Sequence, residues 1–325
     1  MPSPKITVLM SVFNGEKYLR EAVESILGQT YTDFEFLIID DASMDSSSEI
    51  LRQYADPRIR LINNEKNLGL TKSLNMGIAL AEGEYIARMD ADDISLPDRF
   101  EKQIAFLERT PEIALLGTSN YFIDENGKKT GMQIVRKNPS FDLLCNENQF
   151  NHGSIIVKKS VVRNLGGYNE NFRYVQDFEL WLRIAKEFPV RNLVEPLYKL
   201  RMHNENIGHL KSEESALYFL FAVKLNTGRI DQKTIDIIKN NGIRYLMPHL
   251  TKKEMVYYYD SLANMYIRNG DFKKGREQYK QIFRISPLNV ANTYRYFRSF
   301  FGIRFIKMTY NLYLYISNKG AELIS

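Results

Sequence analysis

The chain has 325 residues, 44% of them apolar and 12% aromatic, which is room for about two packed domains and too much apolar mass for a disordered chain. Its one cysteine, Cys145, excludes an intramolecular disulfide and a thiolate metal site, so a reducing compartment is expected. The net charge of +5 is unevenly spread: residues 1–210 carry 25 Lys+Arg against 30 Asp+Glu, a net of −5, and the remainder carries 19 against 9, a net of +10.

In chain order, Met1-Pro2-Ser3-Pro4-Lys5 runs straight into strand-like sequence without the charged start, apolar stretch and cleavage site of a leader. No apolar run reaches the roughly 20 residues of a membrane span, and a cytoplasmic protein is expected. Up to about residue 112, apolar strands alternate with amphipathic helices, the pattern of a parallel sheet covered by helices. Strands are predicted at 6–12, 34–39, 59–62 and 85–87, and helices near 16–27, 47–54 and 71–81. The next helix is predicted to begin near Pro97, where Ser95 and Asp98 stand at capping-box spacing. Residues 113–123 and 129–135 flank Asp124-Glu125-Asn126-Gly127, whose Asn-Gly predicts a hairpin and hence a mixed sheet. A strand at 153–157 follows, then a helix at 176–187 with Phe178, Leu182 and Ala185 on one face.

The α/β part is expected to end near His209, giving a first domain of 1–210 and an all-α region of 211–325. There Tyr259, Leu262, Ala263, Tyr266, Gly270, Asp271, Tyr279 and Pro287 fall at the spacing of one tetratricopeptide-like hairpin over about 252–287, turning at Asn269-Gly270-Asp271. Gly275 and Ile282 stand where that repeat usually has alanines, and an ordinary helical hairpin is the alternative. Candidate neighbours lie at 213–225 and 233–246. Residues 289–318 interleave Arg295, Arg298, Arg304 and Lys307 with Phe297, Phe300, Phe301, Phe305, Tyr310 and Tyr313. Such a segment either lies in an anionic membrane interface or packs its aromatic face on the repeat. None of the common nucleic-acid signatures is present, which leaves a membrane surface or a protein as partner.

Met89-Asp90-Ala91-Asp92-Asp93 sets three carboxylates just after a short apolar strand, at the sheet edge where open α/β folds bind ligands. Carboxylates without thiolates or a histidine pair favour Mg2+ or Mn2+, an ion that bridges phosphate oxygens; an acidic solvated loop is the alternative. Ile38-Ile39-Asp40-Asp41-Ala42-Ser43-Met44-Asp45 ends the second strand in the same way, where a carboxylate can accept the imide hydrogen of uracil or a ribose hydroxyl. Asp45 or Ser46 is also placed to cap the following helix.

These segments are joined by Val8-Leu9-Met10-Ser11-Val12-Phe13-Asn14-Gly15, Ser25-Ile26-Leu27-Gly28-Gln29-Thr30, Asn67-Leu68-Gly69-Leu70, Ser73-Leu74-Asn75, Ala81-Glu82-Gly83-Glu84-Tyr85-Ile86 and Leu96-Pro97-Asp98-Arg99. In that order, over roughly the first 205 residues, the chain resembles the inverting, family-two nucleotide-sugar glycosyltransferases of GT-A fold. The resemblance implies Ser11, Asp41 and Lys72 around the nucleoside, with Asp41 facing the base. It implies Asp90 at ribose and donor sugar, Asp92 on a divalent metal (Mn2+ or Mg2+), and His203 approaching the metal or diphosphate. Gln176-Asp177-Phe178-Glu179-Leu180-Trp181 resembles the later motif whose first aspartate is the catalytic base, with glutamine for the more frequent glutamate; this assigns Asp177. Read from its position alone, Asp177 is a carboxylate favouring a helix N-terminus. His152 and Gly153 fall in the acceptor-side region, as does Trp181, either as a packing ring or as a sugar-stacking one.

The implied activity is metal-dependent, inverting hexosyl transfer from a nucleotide-sugar, a UDP-sugar, to a saccharide or lipid-linked acceptor in surface polysaccharide or lipopolysaccharide biosynthesis. The enzyme would be cytoplasmic, peripheral at the inner face of the cell membrane. Displacement at the anomeric carbon needs a base for the acceptor hydroxyl on one face and a charge-neutralised diphosphate on the other. The alternative is a non-catalytic scaffold that binds nucleotide and recruits partners through its helical half. A dinucleotide dehydrogenase is excluded by the missing glycine fingerprint after the first strand, and a P-loop kinase by the missing Gly-Lys-Ser/Thr.

Overall fold

The computed structural model describes residues 3–203, 212–287 and 290–300. It forms two compact units, Met1–His203 with Leu225–Thr227, and Asn204–Lys224 with Gly228–Ser325. The boundary expected near residue 210 lies outside the described residues.

The first unit carries nine strands: β1 (Ile6–Val12), β2 (Phe34–Asp40), β3 (Ile59–Asn63), β4 (Tyr85–Met89), β5 (Ile94–Ser95), β6 (Leu115–Ile123), β7 (Lys129–Gln133), β8 (Ile156–Lys158) and β9 (Val190–Arg201). Their order is β3-β2-β1-β4-β8-β6-β9-β5, with β7 paired to β6. The strands β3, β2, β1 and β4 run parallel, β8 runs antiparallel to both β4 and β6, and β9 is parallel to β6, so the expected mixed sheet is present. Seven helices punctuate the strands: α1 (Leu19–Leu27), α2 (Ser47–Arg52), α3 (Leu70–Leu80), α4 (Arg99–Arg109), α5 (Phe141–Leu144), α6 (Lys159–Asn164) and α7 (Gln176–Glu187).

β1 has a strand on each side and is almost wholly buried, which is why its sequence is a continuous apolar run rather than an alternating one. Its Ile6, Val8 and Met10 pack with Leu19, Ala22, Val23 and Ile26 of α1, spaced i, i+3, i+4 and i+7 on one helical face, and with Phe100, Ile104 and Leu107 of α4. Each such aliphatic side chain contributes about 1.5–3 kcal/mol on burial, so the parallel half of the sheet is rigid support for whatever its edge carries.

Three local expectations are corrected. The helix after Pro97 begins at Arg99 and has no side-chain cap bond. Ser95 instead belongs to β5, where its hydroxyl accepts from Gln29 Nε2 at 3.1 Å, so no capping box forms. Residues His152–Ser154 form a 3-10 turn, and the strand expected at 153–157 starts only at Ile156. β9, the longest strand, was not expected at all.

The other region is helical: α8 (Ser212–Asn226), α9 (Gln232–Asn241), a 3-10 segment Ile243–His249, α10 (Lys252–Arg268), α11 (Phe272–Ile285) and α12 (Val290–Arg298). Helices α10 and α11 form the hairpin over 252–287, packing Ala263, Ile267, Tyr279 and Ile282 together. Tyr279 Oη donates to Asn264 Oδ1 across the pair at 3.3 Å. At Gly275 a Cβ would lie 2.6 Å from Ile267 Cγ1, so the missing side chain is what lets the helices close. Thr251 opens α10 with a capping box: its Oγ accepts from Glu254 N (3.3 Å), and Thr251 N donates back to Glu254 Oε2 (2.8 Å). Of the basic aromatic segment 289–318, only 290–300 falls among the described residues.

Candidate active site

Parallel pairing in register, Ser11 with Ile39, Val12 with Asp40 and Met10 with Met89, delivers Ser11, Asp41 and Asp90 to one edge of the sheet. The loops leaving β1 and β2 clasp each other there. Asn14 N donates to Ser43 Oγ (3.1 Å) and Met44 N to Asn14 Oδ1 (2.8 Å), while Glu16 N donates to Asp45 Oδ2 (3.0 Å) and Ser46 N to Glu16 Oε2 (2.9 Å). Asp45 thus ties two loops together and also accepts from Ser47 N (3.0 Å).

The buried carboxylate of Asp41 accepts from Leu68 N (2.9 Å), Gly69 N (2.8 Å) and Asn64 Nδ2 (2.6 Å). Of about four lone-pair positions on a carboxylate, three are taken by the segment that leads into α3, and one is left for a ligand. Lys72 is exposed on the first turn of α3.

Asp90 is held from several sides. Arg88, fully buried in β4, pairs with Asp90 Oδ1 through Nη2 (2.7 Å) and also donates to the carbonyls of Leu9 (3.1 Å) and Met89. Asp90 N donates to Tyr198 Oη at 3.3 Å. A Cβ at Gly153 would fall 2.0 Å from Tyr198 Oη and 2.8 Å from Asp90 Oδ2, so the glycine makes room for these two groups inside the protein. Behind them Arg99, buried and stacked over Tyr198, donates to Gly153 O (2.7 Å) and Arg88 O (3.1 Å). Burial lowers its guanidinium to about 10, which leaves it cationic at neutral pH.

Asp92 and His203 meet because β5 pairs antiparallel with β9, Ile94 opposite Lys199 and Ser95 opposite Tyr198. Asp92 Oδ2 lies 2.9 Å from His203 Nε2. Burial first, then the charge of Asp90, raises the Asp92 carboxyl above its ordinary range. Asp93 is buried and raised well above that range by burial and by Asp92, and its Oδ1 accepts from Arg201 N at 2.7 Å. Among the described residues no three or more His, Cys, Asp or Glu converge as a ready-made metal cage. The donor set present is one carboxylate beside one imidazole. That set fits Mn2+ or Mg2+, cations that take few protein ligands and complete their shell with phosphate oxygens and water.

Asp177 sits in the first turn of α7, partly buried. Burial raises its carboxyl to about 6, with the charge of Asp90 adding and the Phe178 N–H and Arg88 opposing. It is mainly ionised at neutral pH and close enough to that range to exchange a proton. The helix is anchored by the Glu179–Arg183 pair (2.8 Å), and Arg183 reaches on to Leu165 O (2.6 Å) and Gly167 O (2.7 Å), fixing the loop that carries Tyr168. Tyr168 Oη lies 2.8 Å from His152 Nε2. Burial, then Arg88, lowers His152 to about 3, so its ring is neutral in the working range. Trp181 is fully enclosed against His152 and Phe150 at 6.1 and 6.2 Å. An acceptor-side role for Trp181 is therefore corrected to packing.

Among the described residues, three non-glycine residues have positive φ: Asn14 after β1, Ala42 after β2 and Val175 before α7. All three lie where a loop presents candidate site residues, and a β-branched residue at φ +62°, as at Val175, is backbone strain that its surroundings must hold. Sequence reasoning assigned no role to Arg88, Arg99, Tyr198, Arg201 or Tyr18. The signals were a charged residue inside the apolar strand Tyr85-Ile86-Ala87-Arg88-Met89 and the place of Arg99 in the segment Leu96-Pro97-Asp98-Arg99.

The glycosyl transferase family 2 model matches residues 7–166. The amylovoran biosynthesis glycosyltransferase AmsE of Erwinia amylovora is 35% identical over 231 residues, 67% of this chain and 86% of AmsE. Among solved structures, S. aureus TarS 1–349 in complex with UDP-GlcNAc superposes with a TM-score of 0.60 at 15% identity, covering 86% of this chain and 84% of that one. The mannosyltransferase PcManGT from Pyrobaculum calidifontis, in complex with GDP-Man and Mn2+, gives 0.54 at 18% identity over 81% and 75%. At those identities the two structures establish a shared fold.

Proposed function

Because this chain belongs to glycosyltransferase family 2, we propose that it is a metal-dependent, inverting hexosyltransferase that moves a sugar from a UDP-sugar to a saccharide or lipid-linked acceptor of a surface polysaccharide or lipopolysaccharide. The observation that carries the reading is the meeting of Asp41, Asp90 and the Asp92–His203 pair at one edge of the sheet. Asp177, at the start of α7, is raised first by burial, with the charge of Asp90 adding to it. The polysaccharide assignment draws on the name of AmsE, and the nucleotide-sugar and metal assignments on the ligands of TarS and PcManGT.

In this reading the free lone pair of Asp41 takes a hydrogen from the nucleoside, Ser11 and Lys72 line the same edge, and Asp90 accepts from ribose and donor-sugar hydroxyls. Asp92 and His203 would hold Mn2+ or Mg2+, which when bound neutralises charge on the departing diphosphate. Asp177 removes the proton of the acceptor hydroxyl as that oxygen attacks the anomeric carbon. The bond to diphosphate breaks on the opposite face, and the anomer inverts. His152, kept neutral, and Gly153 shape the acceptor side.

We assign catalysis to 1–210 and docking to 211–325, with one tetratricopeptide-like hairpin at about 252–287. No helix among the described residues is long and apolar enough to cross a membrane. An anionic membrane surface is the favoured partner of the helical region, because Tyr294, Phe297 and Phe300 are 55%, 60% and 56% exposed in a half whose net charge is +10. Sedimentation with anionic vesicles at low salt tests this, and a protein left in the supernatant defeats it.

Calorimetric titration of UDP, with GDP for comparison, into wild type and Asp92→Asn with and without Mn2+ tests the donor site. UDP binding that Mn2+ strengthens in wild type and not in the variant is the expected result. Tighter GDP binding would reassign the donor, and no nucleotide binding at all would favour the scaffold.

A further inference from the structure

Neither Asp92 nor His203 stands inside a regular element; one precedes β5 and the other follows β9. Beside Asp92, and two residues before His203, is Arg201, the last residue of β9, whose side chain is almost completely buried. Its backbone N–H goes to Asp93 Oδ1 (2.7 Å) and its Nε to the carbonyl of Asp92 itself (2.9 Å). Its Nη1 spans the carbonyls of Asp124 (3.4 Å) and Glu125 (3.2 Å) in the β6–β7 turn, and its Nη2 pairs with Glu21 of α1 at 2.5 Å. The guanidinium carbon Cζ lies 4.4 Å from the ring centroid of Tyr18. That same ring packs against His203, centroid to centroid 5.2 Å.

We infer that Arg201 and Tyr18 are positioning residues for the Asp92–His203 pair: Arg201 fixes the main chain of Asp92, and the Tyr18 ring, in contact with both guanidinium and imidazole, fixes the orientation of His203. The inference rests on the reading of Asp92 and His203 as the cation pair. The cluster has the features of a support built around a pair of ligands. A planar guanidinium with donors to spare serves carbonyls and stacks at once, which lysine cannot do. It is the Tyr18 ring that meets both the guanidinium and the imidazole, and the ring is what this position supplies to the pair. Supports of this kind orient ligands, and losing one lowers metal affinity by about 10–100-fold.

The experiment titrates Mn2+ alone into the full chain, followed by the electron paramagnetic resonance signal of the free ion, with metal-free UDP binding and the melting temperature recorded for each variant. Tyr18→Leu is expected to weaken Mn2+ binding about tenfold or more while metal-free UDP binding is unchanged. Tyr18→Phe, which keeps the ring, should match wild type, and Arg201→Lys should weaken Mn2+ as Tyr18→Leu does. If Tyr18→Leu binds Mn2+ like wild type while Asp92→Asn does not, the positioning role is wrong and the cation pair stands. Equal Mn2+ binding by Asp92→Asn and wild type would remove the cation pair and the positioning role with it. A fall in metal-free UDP binding or melting temperature that parallels the Mn2+ loss would reduce Tyr18 to a structural residue.

Discussion

The sheet edge of the first unit and the α10–α11 hairpin of the second are built by opposite rules. At the edge, Arg88, Arg99, Arg201 and Asp93 are buried, and loops take positive φ at Asn14, Ala42 and Val175. In the second unit the described positive-φ residues are all glycines, Gly228, Gly242 and Gly270, and the helices open on ordinary caps, Asp231, Thr251 and Asp271. Local consistency marks a scaffold, and concentrated burial of charge with backbone strain marks a place where conformation serves something other than stability. Substitutions at the edge should therefore damage activity out of proportion to stability, and those in the hairpin should do the reverse.

The hardest test of that contrast is Asp177→Asn. Removing a general base lowers rate by roughly 100–10,000-fold, and the expected outcome is transfer reduced on that scale with UDP affinity and folding stability near wild type. Comparable loss of UDP affinity would mean that Asp177 supports the nucleotide site instead. The pH profile sharpens the same point. A carboxyl raised to about 6 must be ionised to accept a proton, so transfer should be on its plateau above neutrality and fall as pH drops through 6, by about tenfold per unit below it. A profile flat down to pH 5 would remove Asp177 as the base.

Gly153→Ala comes next. Its Cβ would meet Tyr198 Oη and Asp90 Oδ2, both tied into the buried arginine cluster, so neither has freedom to yield. Overpacking of this kind costs about 1–3 kcal/mol, and here it should also shift Asp90 and weaken donor binding, measured by UDP-sugar titration beside a denaturation curve.

Much of this edge was legible in the sequence because a central parallel strand is an unbroken apolar run and its carboxyl end is where polar residues first become affordable. The strands at β1, β2 and β4 and the Asp41 and Asp90–Asp93 clusters stood out for that reason, and the 3.6-residue spacing of Phe178, Leu182 and Ala185 marked α7. β9 was not legible. It carries Pro196, charged residues interrupt it at Arg191, Glu195 and Lys199, and its register against β6 shifts between Thr118 and Asn120. Without β9 nothing in the sequence could say that Arg201 lies beside Asp92, and a buried arginine is the residue type that pattern reading places outside. Trp181 shows the converse limit: it lies one helical turn from Asp177, yet spacing does not tell whether a ring at that step faces solvent or core.

The hairpin supplies the smaller effects. Gly275→Ala would set a Cβ against the buried Ile267 and the Ala263 carbonyl, an overpacking offset in part by the about 1 kcal/mol that alanine gains in helix propensity over glycine. The net expected loss is about 1 kcal/mol on denaturation, with transfer unchanged. Tolerance without loss would mean that the alanine usual in a tetratricopeptide repeat fits here after all.

Thr251→Ala is the mildest change. It removes the hydroxyl that accepts from Glu254 N and so opens one half of the capping box, which is worth about 1 kcal/mol. Glu254 retains its ion pair with the buried Lys224 at 3.0 Å, so the carboxylate is not left alone and the damage should stop at a frayed first turn of α10. Denaturation followed by helical circular dichroism should show that small loss, while UDP affinity with Mn2+ stays at its wild-type value. If UDP affinity falls with the cap, the hairpin is coupled to the sheet edge, and the division between a strained site and a relaxed support has been drawn in the wrong place.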